Sequence, residues 1–115
     1  MTTDRPTHRP VIEVLHVQDC PYYRQALALV QQVRAEVGID AELRTTLIPD
    51  QAAAEQARFL GSPTVRVNGR DIEPGAAWNF EFVHGCRLYR GEHSLRALPE
   101  ADWLRQALRN AEAQP

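Results

Sequence analysis

The sequence predicts an α/β fold in which a small mixed sheet has helices on both faces. Segments with strand and helix patterns alternate along the chain, and the first strand candidate is apolar on both faces, as in a sheet covered by helices. An Asn-Gly pair, the strongest short hairpin signal, separates two further strand candidates. The length of 115 residues fits one domain.

The first half of the chain contributes two strand–helix units. Residues 11–17 form a β-branched, mostly apolar run that predicts a buried strand. In residues 22–37 apolar side chains recur at helical spacing up to Gly38. Residues 41–48 predict a weaker strand, and residues 50–60 a helix that Asp50 caps with its carboxylate.

The second half predicts a hairpin and a final helix. Strands at 63–67 and 70–73 flank the Asn68-Gly69 turn and pair antiparallel. Residues 74–85 fit either an edge strand or an aromatic loop, and residues 86–90 a short strand. The last helix covers residues 99–111, with Pro99 at its first position. The resulting order is β-α-β-α-β-β-α, and each strand–helix–strand step favours parallel pairing.

Composition and charge narrow the class of protein. The 13 basic residues, all arginine, against 15 acidic ones give a net charge of −2, so nucleic acid is not an expected partner. No apolar run approaches the roughly 18 residues that span a bilayer, so no membrane is expected either. The start of the chain lacks a signal-like apolar stretch. We expect a flexible tail at residues 1–10, one domain at 11–112, and a cytoplasmic protein.

Cys20 lies at the junction of the first predicted strand and helix. The first amides of a helix carry the positive end of its dipole, which stabilises a thiolate and so supplies nucleophile at neutral pH. Arg24 can add positive charge, whereas Asp19 opposes the thiolate. A reactive thiol and a partly buried cysteine at a helix start both fit this position.

Two motifs give the chain a resemblance to the thioredoxin superfamily. Cys20-Pro21-Tyr22-Tyr23 follows the first strand, and Gly61-Ser62-Pro63-Thr64 opens the third. With Asn68-Gly69-Arg70 and residues 86–90, they also resemble small bacterial thioredoxin-like proteins, some labelled alkylmercury-lyase-like. The resemblance implies a three-layer sandwich around a four-stranded mixed sheet. It also implies a cis Pro63, a Ser62 backbone offered to an extended substrate, and substrate contacts from Pro21, Tyr22, Tyr23 and Thr64.

The chain departs from the dithiol pattern of that superfamily. Tyr23 stands where a second cysteine resolves the mixed disulfide, so the site is formally monothiol. Glutaredoxins of this kind use glutathione instead, but their basic residue before the site and their Gly-Gly-x-Asp clamp are missing here. This departure puts glutathione binding in doubt, and no cofactor is assigned.

Cys86 is the second cysteine, 66 positions after Cys20. It fits a small buried residue in a short strand, a resolving thiol, or a metal ligand. His16, Cys20, His84 and Cys86 would be a loose set of two nitrogens and two sulfurs for a soft ion, but no metal site is assigned. Other open features are a substrate groove formed by Trp78, Phe80 and Phe82 and an anion site formed by Arg87, Arg90 and Arg96.

The expected function is thiol–disulfide exchange, with a protein or small-molecule thiol or disulfide as partner. Cys20 is the nucleophile, and Cys86 or an external thiol resolves the mixed disulfide. One alternative is a non-catalytic binding module that kept the fold and lost the dithiol. Another is a protein that handles soft metals or organomercurials with Cys20 and Cys86.

Overall fold

A computed structural model describes residues 9–113. The predicted tail falls mainly on residues 1–8, which lie outside the described residues. Pro10 is already tied to the fold, because it is buried and its carbonyl accepts the Glu42 N–H at 2.8 Å. No helix in the described range is long and apolar enough to cross a membrane.

Within residues 9–113, the fold consists of three α-helices and six short strands. The helices are α1, α2 and α3, at Tyr23–Val37, Gln51–Gln56 and Ala101–Ala113. The strands β1 to β6 are Val11–His16, Glu42–Leu47, Thr64–Val67, Arg70–Asp71, Tyr89–Arg90 and Leu95–Arg96.

The main sheet has four strands in the order β2-β1-β3-β4. Strand β1 runs parallel to β2 and antiparallel to β3, and β3 runs antiparallel to β4. Parallel pairing is thus confirmed for the strand–helix–strand step through α1. It is wrong for the step through α2, because β2 and β3 run in opposite directions. The predicted α/β class with a mixed four-stranded sheet is therefore confirmed.

Helices cover both faces of this sheet. Ile12 and Val14 of β1 share one core with Val65 of β3 and with buried side chains of α1 and α3. Leu15 points to the other face, where it packs against Ala54 of α2 and Phe59. The alternation along β1 thus divides its apolar side chains between two cores, as its doubly apolar pattern predicts.

Two local predictions are confirmed in detail. Asn68 and Gly69 have φ values of 51° and 82°, and they join β3 to β4 as the Asn-Gly pair predicts. Asp50 precedes α2, and its Oδ1 accepts the Ala53 N–H at 2.8 Å. Both sites depend on short-range chemistry that the local sequence contains.

Helix α2 is shorter than predicted. It ends at Gln56 because Arg58 adopts a left-handed conformation with φ 56°, and the Phe59 N–H returns to the Ala54 carbonyl at 2.8 Å. This arrangement is a Schellman motif. It turns Phe59 into the core, where it is fully buried.

Helix α3 starts at Ala101, so the prediction that Pro99 occupies its first position is wrong. Glu100 closes the preceding loop, since its carboxylate accepts the Glu92 N–H at 3.0 Å and lies 3.6 Å from Arg96. Pro99 is buried in that loop.

Residues 74–85 form an aromatic loop, and the edge-strand alternative is wrong. A 3-10 turn spans Ala76–Trp78, and Trp78 and Phe80 are 84% and 61% exposed. Of residues 86–90 only Tyr89–Arg90 is a strand, and it pairs with Leu95–Arg96 rather than with the main sheet. Residues 85–87, called the strap below, run beside Ser62 through a parallel bridge between Ser62 and Cys86.

Gly61 is the glycine on which this close approach depends. Its φ is 115°, and an added Cβ would lie 2.8 Å from the Arg87 Cβ and 3.1 Å from the Cys86 carbonyl oxygen. Gly38, at the end of α1, also has a positive φ of 69°, but an added Cβ there meets nothing within 4 Å.

These two glycines give a matched pair of variants. We expect Gly38→Ala to lower the free energy of unfolding by about 1 kcal/mol, the cost of a left-handed alanine. Gly61→Ala should cost about 3 kcal/mol, because steric overlap with the strap adds to the backbone strain. Urea unfolding followed by circular dichroism measures both, and equal losses would contradict the close approach of the strap.

Candidate functional site

Cys20 lies in the turn that joins β1 to α1. Its thiol is free and half-buried, and its carbonyl accepts the Tyr23 N–H at 3.3 Å. Helix α1 begins at Tyr23, so Pro21 lies in the turn before the helix and not in its first helical turn. No side chain caps the start of α1. The positive end of the helix is therefore one turn from Cys20, without a side-chain oxygen to neutralise it.

Tyr23 occupies the position of the missing second cysteine and packs on a histidine. Its ring stacks on His16 with a centroid separation of 3.8 Å and an interplanar angle of 24°. The His16 Nδ1 lies 3.1 Å from the Val17 carbonyl oxygen and, as its protonated nitrogen, donates to it. Tyr22 is 38% exposed. The stacked rings of His16 and Tyr23 thus lie at the end of the turn that carries Cys20.

Ser62 joins the end of β1 to the strap. Its Oγ accepts the Val17 N–H at 3.0 Å. Its own N–H donates to the Gly85 carbonyl at 2.7 Å, and its carbonyl accepts the Arg87 N–H at 3.1 Å. The backbone groups that the resemblance assigns to a substrate are thus paired within the chain. A substrate that used them would have to displace the strap.

Pro63 and Thr64 follow Ser62 in the chain, and their side chains are also fully buried. The Ser62–Pro63 peptide bond is cis, as the resemblance implies, and the Pro63 carbonyl accepts the hydroxyl of Tyr89. Thr64 is fully buried; its Oγ1 donates to the Gly61 carbonyl at 2.6 Å and accepts from Arg87. The Thr64 side chain is therefore not free to contact a substrate in this structure, contrary to the expectation.

Cys86 is exposed on the strap, so the interpretation as a small buried residue is wrong. Its thiol is free, as is that of Cys20. Ser62 lies between the two cysteine-bearing segments: it pairs with Cys86 on one side, and on the other it binds Val17, three residues before Cys20. The fold therefore brings both segments to the same end of the sheet.

Arg87 anchors the strap through buried charges. Its guanidinium, 3% exposed, binds the Asp71 carboxylate through two hydrogen bonds, at 2.6 and 3.0 Å, and Glu73 at 2.8 Å. Burial by itself lowers the pKa of Arg87, but the hydrogen bonds and charges of Asp71 and Glu73 outweigh it and raise that pKa above its ordinary value. The guanidinium also lies 4.1 Å from the ring centroid of Tyr89. Burial of the Tyr89 hydroxyl raises its pKa above the ordinary value.

This anchoring overturns the predicted arginine cluster. Arg87 is buried in its ion pairs, and Arg96 lies 3.6 Å from Glu100. Two of the three arginines are therefore engaged with carboxylates of the chain itself and do not form an anion site with Arg90.

The loose metal set left open by the sequence is not assembled. The His84 Nε2 lies 3.0 Å from the Ile48 carbonyl oxygen, and because a carbonyl only accepts, this nitrogen donates the hydrogen bond. Within residues 9–113, no three His, Cys, Asp or Glu side chains converge to hold a metal ion. His16, Cys20, His84 and Cys86 therefore do not come together as a four-ligand site.

The aromatic groove lies away from both thiols. Trp78 and Phe80 line a groove of about 640 Å³ together with Leu88, which is 64% exposed. Neither Cys20 nor Cys86 borders it. Phe82 turns away and meets Phe80 edge to face, with ring centroids 6.3 Å apart. The aromatic groove considered from the sequence is therefore formed by Trp78 and Phe80 without Phe82, and it does not adjoin the thiols.

The anchoring roles of Arg87 and Tyr89 are what the sequence interpretation missed. The available signal was the acidic pair of Asp71, at the end of β4, and Glu73, two positions later, because such carboxylates need a cation when they are buried.

Comparisons of the chain with protein-family models, curated proteins and solved structures found no match.

The strap anchor gives a stability prediction. Arg87→Met keeps the approximate volume of the side chain but leaves two largely buried carboxylates without their cation, so we expect a loss of about 3 kcal/mol in the free energy of unfolding. Arg105→Met is the control, because Arg105 also binds two carboxylates, Glu36 and Asp102, but on the surface. Its loss should be much smaller. Similar losses in urea unfolding would contradict the anchoring role of Arg87.

Proposed function

We propose that this chain is a thioredoxin-like thiol protein that carries out thiol–disulfide exchange, with Cys20 as the nucleophile and Cys86 as the resolving thiol. The observation that carries the proposal is the position of Ser62 between the two cysteine-bearing segments. Cys20 and Cys86 are separated by 66 positions in the sequence, yet their segments both adjoin one buried serine.

The sheet topology supports the thioredoxin-like part of the proposal. The mixed four-stranded sheet, with α1 and α3 on one face and α2 on the other, agrees with the three-layer sandwich that the resemblance implies. The Cys20 turn leads directly into α1, where the resemblance expects the reactive thiol.

The surroundings of Cys20 support its role as nucleophile. The uncapped start of α1 contributes positive potential, and partial exposure leaves the sulfur accessible. Arg24 is exposed in the first turn of the same helix and adds a positive charge. Asp19, the opposing charge, is itself exposed, where water screens it.

The proposed reaction has two exchange steps. The Cys20 thiolate attacks one sulfur of a disulfide, forms a mixed disulfide, and releases the other half as a thiolate. The Cys86 thiolate then attacks the Cys20 sulfur, forms an intramolecular disulfide, and releases the second half. The two cysteines lose two electrons and the substrate gains them. An external thiol can return the protein to the dithiol state by the reverse exchange.

The exposure of Cys86 supports its resolving role in place of Tyr23. Tyr23 has no sulfur and is held against His16, whereas the Cys86 thiol is free and exposed. Ser62 and Arg87 fix the strap backbone, so the proposed resolution requires that Cys86 reach the Cys20 sulfur from this fixed position. A disulfide between them requires Cα atoms within about 7 Å.

Cystamine, a small symmetrical disulfide, tests both roles. The reduced wild-type chain should release two cysteamine molecules and lose two hydrogen atoms in mass, without a lasting adduct. Cys86→Ser should release one cysteamine and accumulate an adduct at Cys20. Cys20→Ser should react at least about tenfold more slowly, because the proposed nucleophile is gone. Intact-protein mass spectrometry and thiol release measure these outcomes.

Other results would count against the proposal. If Cys20→Ser reacts at the wild-type rate, Cys20 is not the nucleophile. If the wild-type chain keeps the same adduct as Cys86→Ser, Cys86 does not resolve it. If neither thiol reacts with cystamine faster than free cysteine does and a partner complex survives Cys20→Ser, the chain is a binding module instead.

A further inference from the structure

A second candidate site lies between the end of α2 and the β3–β4 hairpin, away from both cysteines. It is a groove of about 480 Å³ whose lining includes Arg58, Arg66 and Arg70. Within residues 9–113, none of these arginines has a carboxylate within 4 Å. The three arginines are separated in sequence, and the fold places all three at the border of one concave surface; Arg70 also borders a second groove, beside α3.

Arg58 is held at the groove by aromatic rings. Its guanidinium carbon lies 5.1 Å from the ring centroid of Phe80 and 5.0 Å from that of Phe82. Such contacts use the flat face of a guanidinium and leave its N–H donors, which lie in the plane, for other partners. The left-handed backbone of Arg58 at the end of α2 fixes the point from which this side chain extends.

Arg66 is held by backbone carbonyls. Its Nη2 donates to the carbonyls of Ala57 and Arg58, at 2.6 and 3.2 Å. Its cross-strand neighbour in β4 is Asp71, the usual partner for an arginine at such a position. Both oxygens of Asp71 are instead bound by Arg87. Arg66 is therefore positioned by the protein but not neutralised by this carboxylate.

The two carboxylates on the groove wall do not balance its positive charge. Asp71 and Glu73 both line the groove, but both bind the buried Arg87. Glu13 is the neighbour of Arg66 on β1, but it does not line the groove, and its Oε2 accepts the hydroxyl of Thr46 at 2.7 Å. The groove therefore has an excess of positive charge.

We propose that this groove binds a small molecule that carries two or more oxyanion charges, as phosphate or as carboxylate groups. Planar guanidinium groups match the geometry of both oxyanions and bind them with charge-assisted hydrogen bonds. Positive charge in a concave surface also concentrates anions from solution. This binding activity is separate from the thiol chemistry, since neither cysteine lines the groove.

Titration of the full chain with sodium pyrophosphate, and separately with citrate, tests the proposal. Ionic strength is held constant with sodium chloride, so that general screening does not change. Calorimetry should show that at least one of the two anions binds saturably, with one anion per chain. The anion that binds should also raise the melting temperature of the protein. The preferred probe distinguishes a phosphate ligand from a carboxylate ligand.

Arginine variants then locate the bound anion. Arg58→Gln and Arg70→Gln should each weaken binding about tenfold, the usual effect of losing one hydrogen bond to a charged group. Arg58→Lys keeps the charge but loses the planar group, so it should fall between Gln and the wild type. Arg109→Gln, on the exposed surface of α3, is the control and should bind as the wild type does.

Three results would overturn the proposal. The first is that neither anion binds or stabilises the chain beyond the sodium chloride control. The second is that Arg109→Gln weakens binding as much as Arg58→Gln. The third is that Arg58→Gln and Arg70→Gln both bind the anion with wild-type affinity. Arg70→Gln carries little risk to the fold, because Arg70 is exposed on the hairpin. Cystamine exchange by the same variants should stay at the wild-type rate, so failure here is distinct from failure of the thiol chemistry.

Discussion

The buried guanidinium of Arg87 is the interaction on which the rest of the site depends. Burying a charge is costly unless partners replace its lost hydration. Asp71 and Glu73 supply those partners, and Arg87 also donates to the Thr64 hydroxyl. Such a pair often adds little net stability compared with apolar packing, but it allows few geometries. Here it sets the path of the strap, because the residue that carries the buried charge also donates its backbone N–H to Ser62.

Fixing the strap changes what the proposed active site offers to a substrate. Both backbone groups of Ser62 are used by Gly85 and Arg87, and its hydroxyl is used by Val17. An extended peptide therefore finds no free partner at this serine. The same arrangement leaves two thiol side chains accessible, a half-buried Cys20 and an exposed Cys86. A monothiol turn with a second thiol on a fixed neighbouring segment suits exchange with small or exposed disulfides better than recognition of a long peptide.

The sequence predicted the parts of this fold that depend on local chemistry. The order of the four main-sheet strands and three helices, the Asp50 cap and the Asn68-Gly69 hairpin are confirmed, whereas the β5-β6 pair was not predicted. The confirmed features depend on residues within a few positions. The strap was not predictable in the same way. Arg87 and Tyr89 are buried while Leu88 is 64% exposed, which reverses the usual relation between polarity and burial. That reversal is explained only by distant partners, 14 to 26 positions away. Asp71 and Glu73 bind Arg87, and the Pro63 carbonyl binds Tyr89.

The pairing of Asp71 with Arg87, rather than with Arg66, connects the strap with the arginine-lined groove. Asp71 lies opposite Arg66 across the β3–β4 pair, and a simple hairpin would join them. Arg87 instead binds both Asp71 oxygens, so Arg66 turns its Nη2 to the carbonyls at the end of α2. The same ion pair that anchors the strap therefore leaves Arg66 without this carboxylate as a partner at the groove. If Asp71 bound Arg66, Arg87 would keep only Glu73 as a carboxylate partner, and one of the three groove arginines would be neutralised. The thiol site and the proposed anion site are thus separate in space but depend on the same carboxylate.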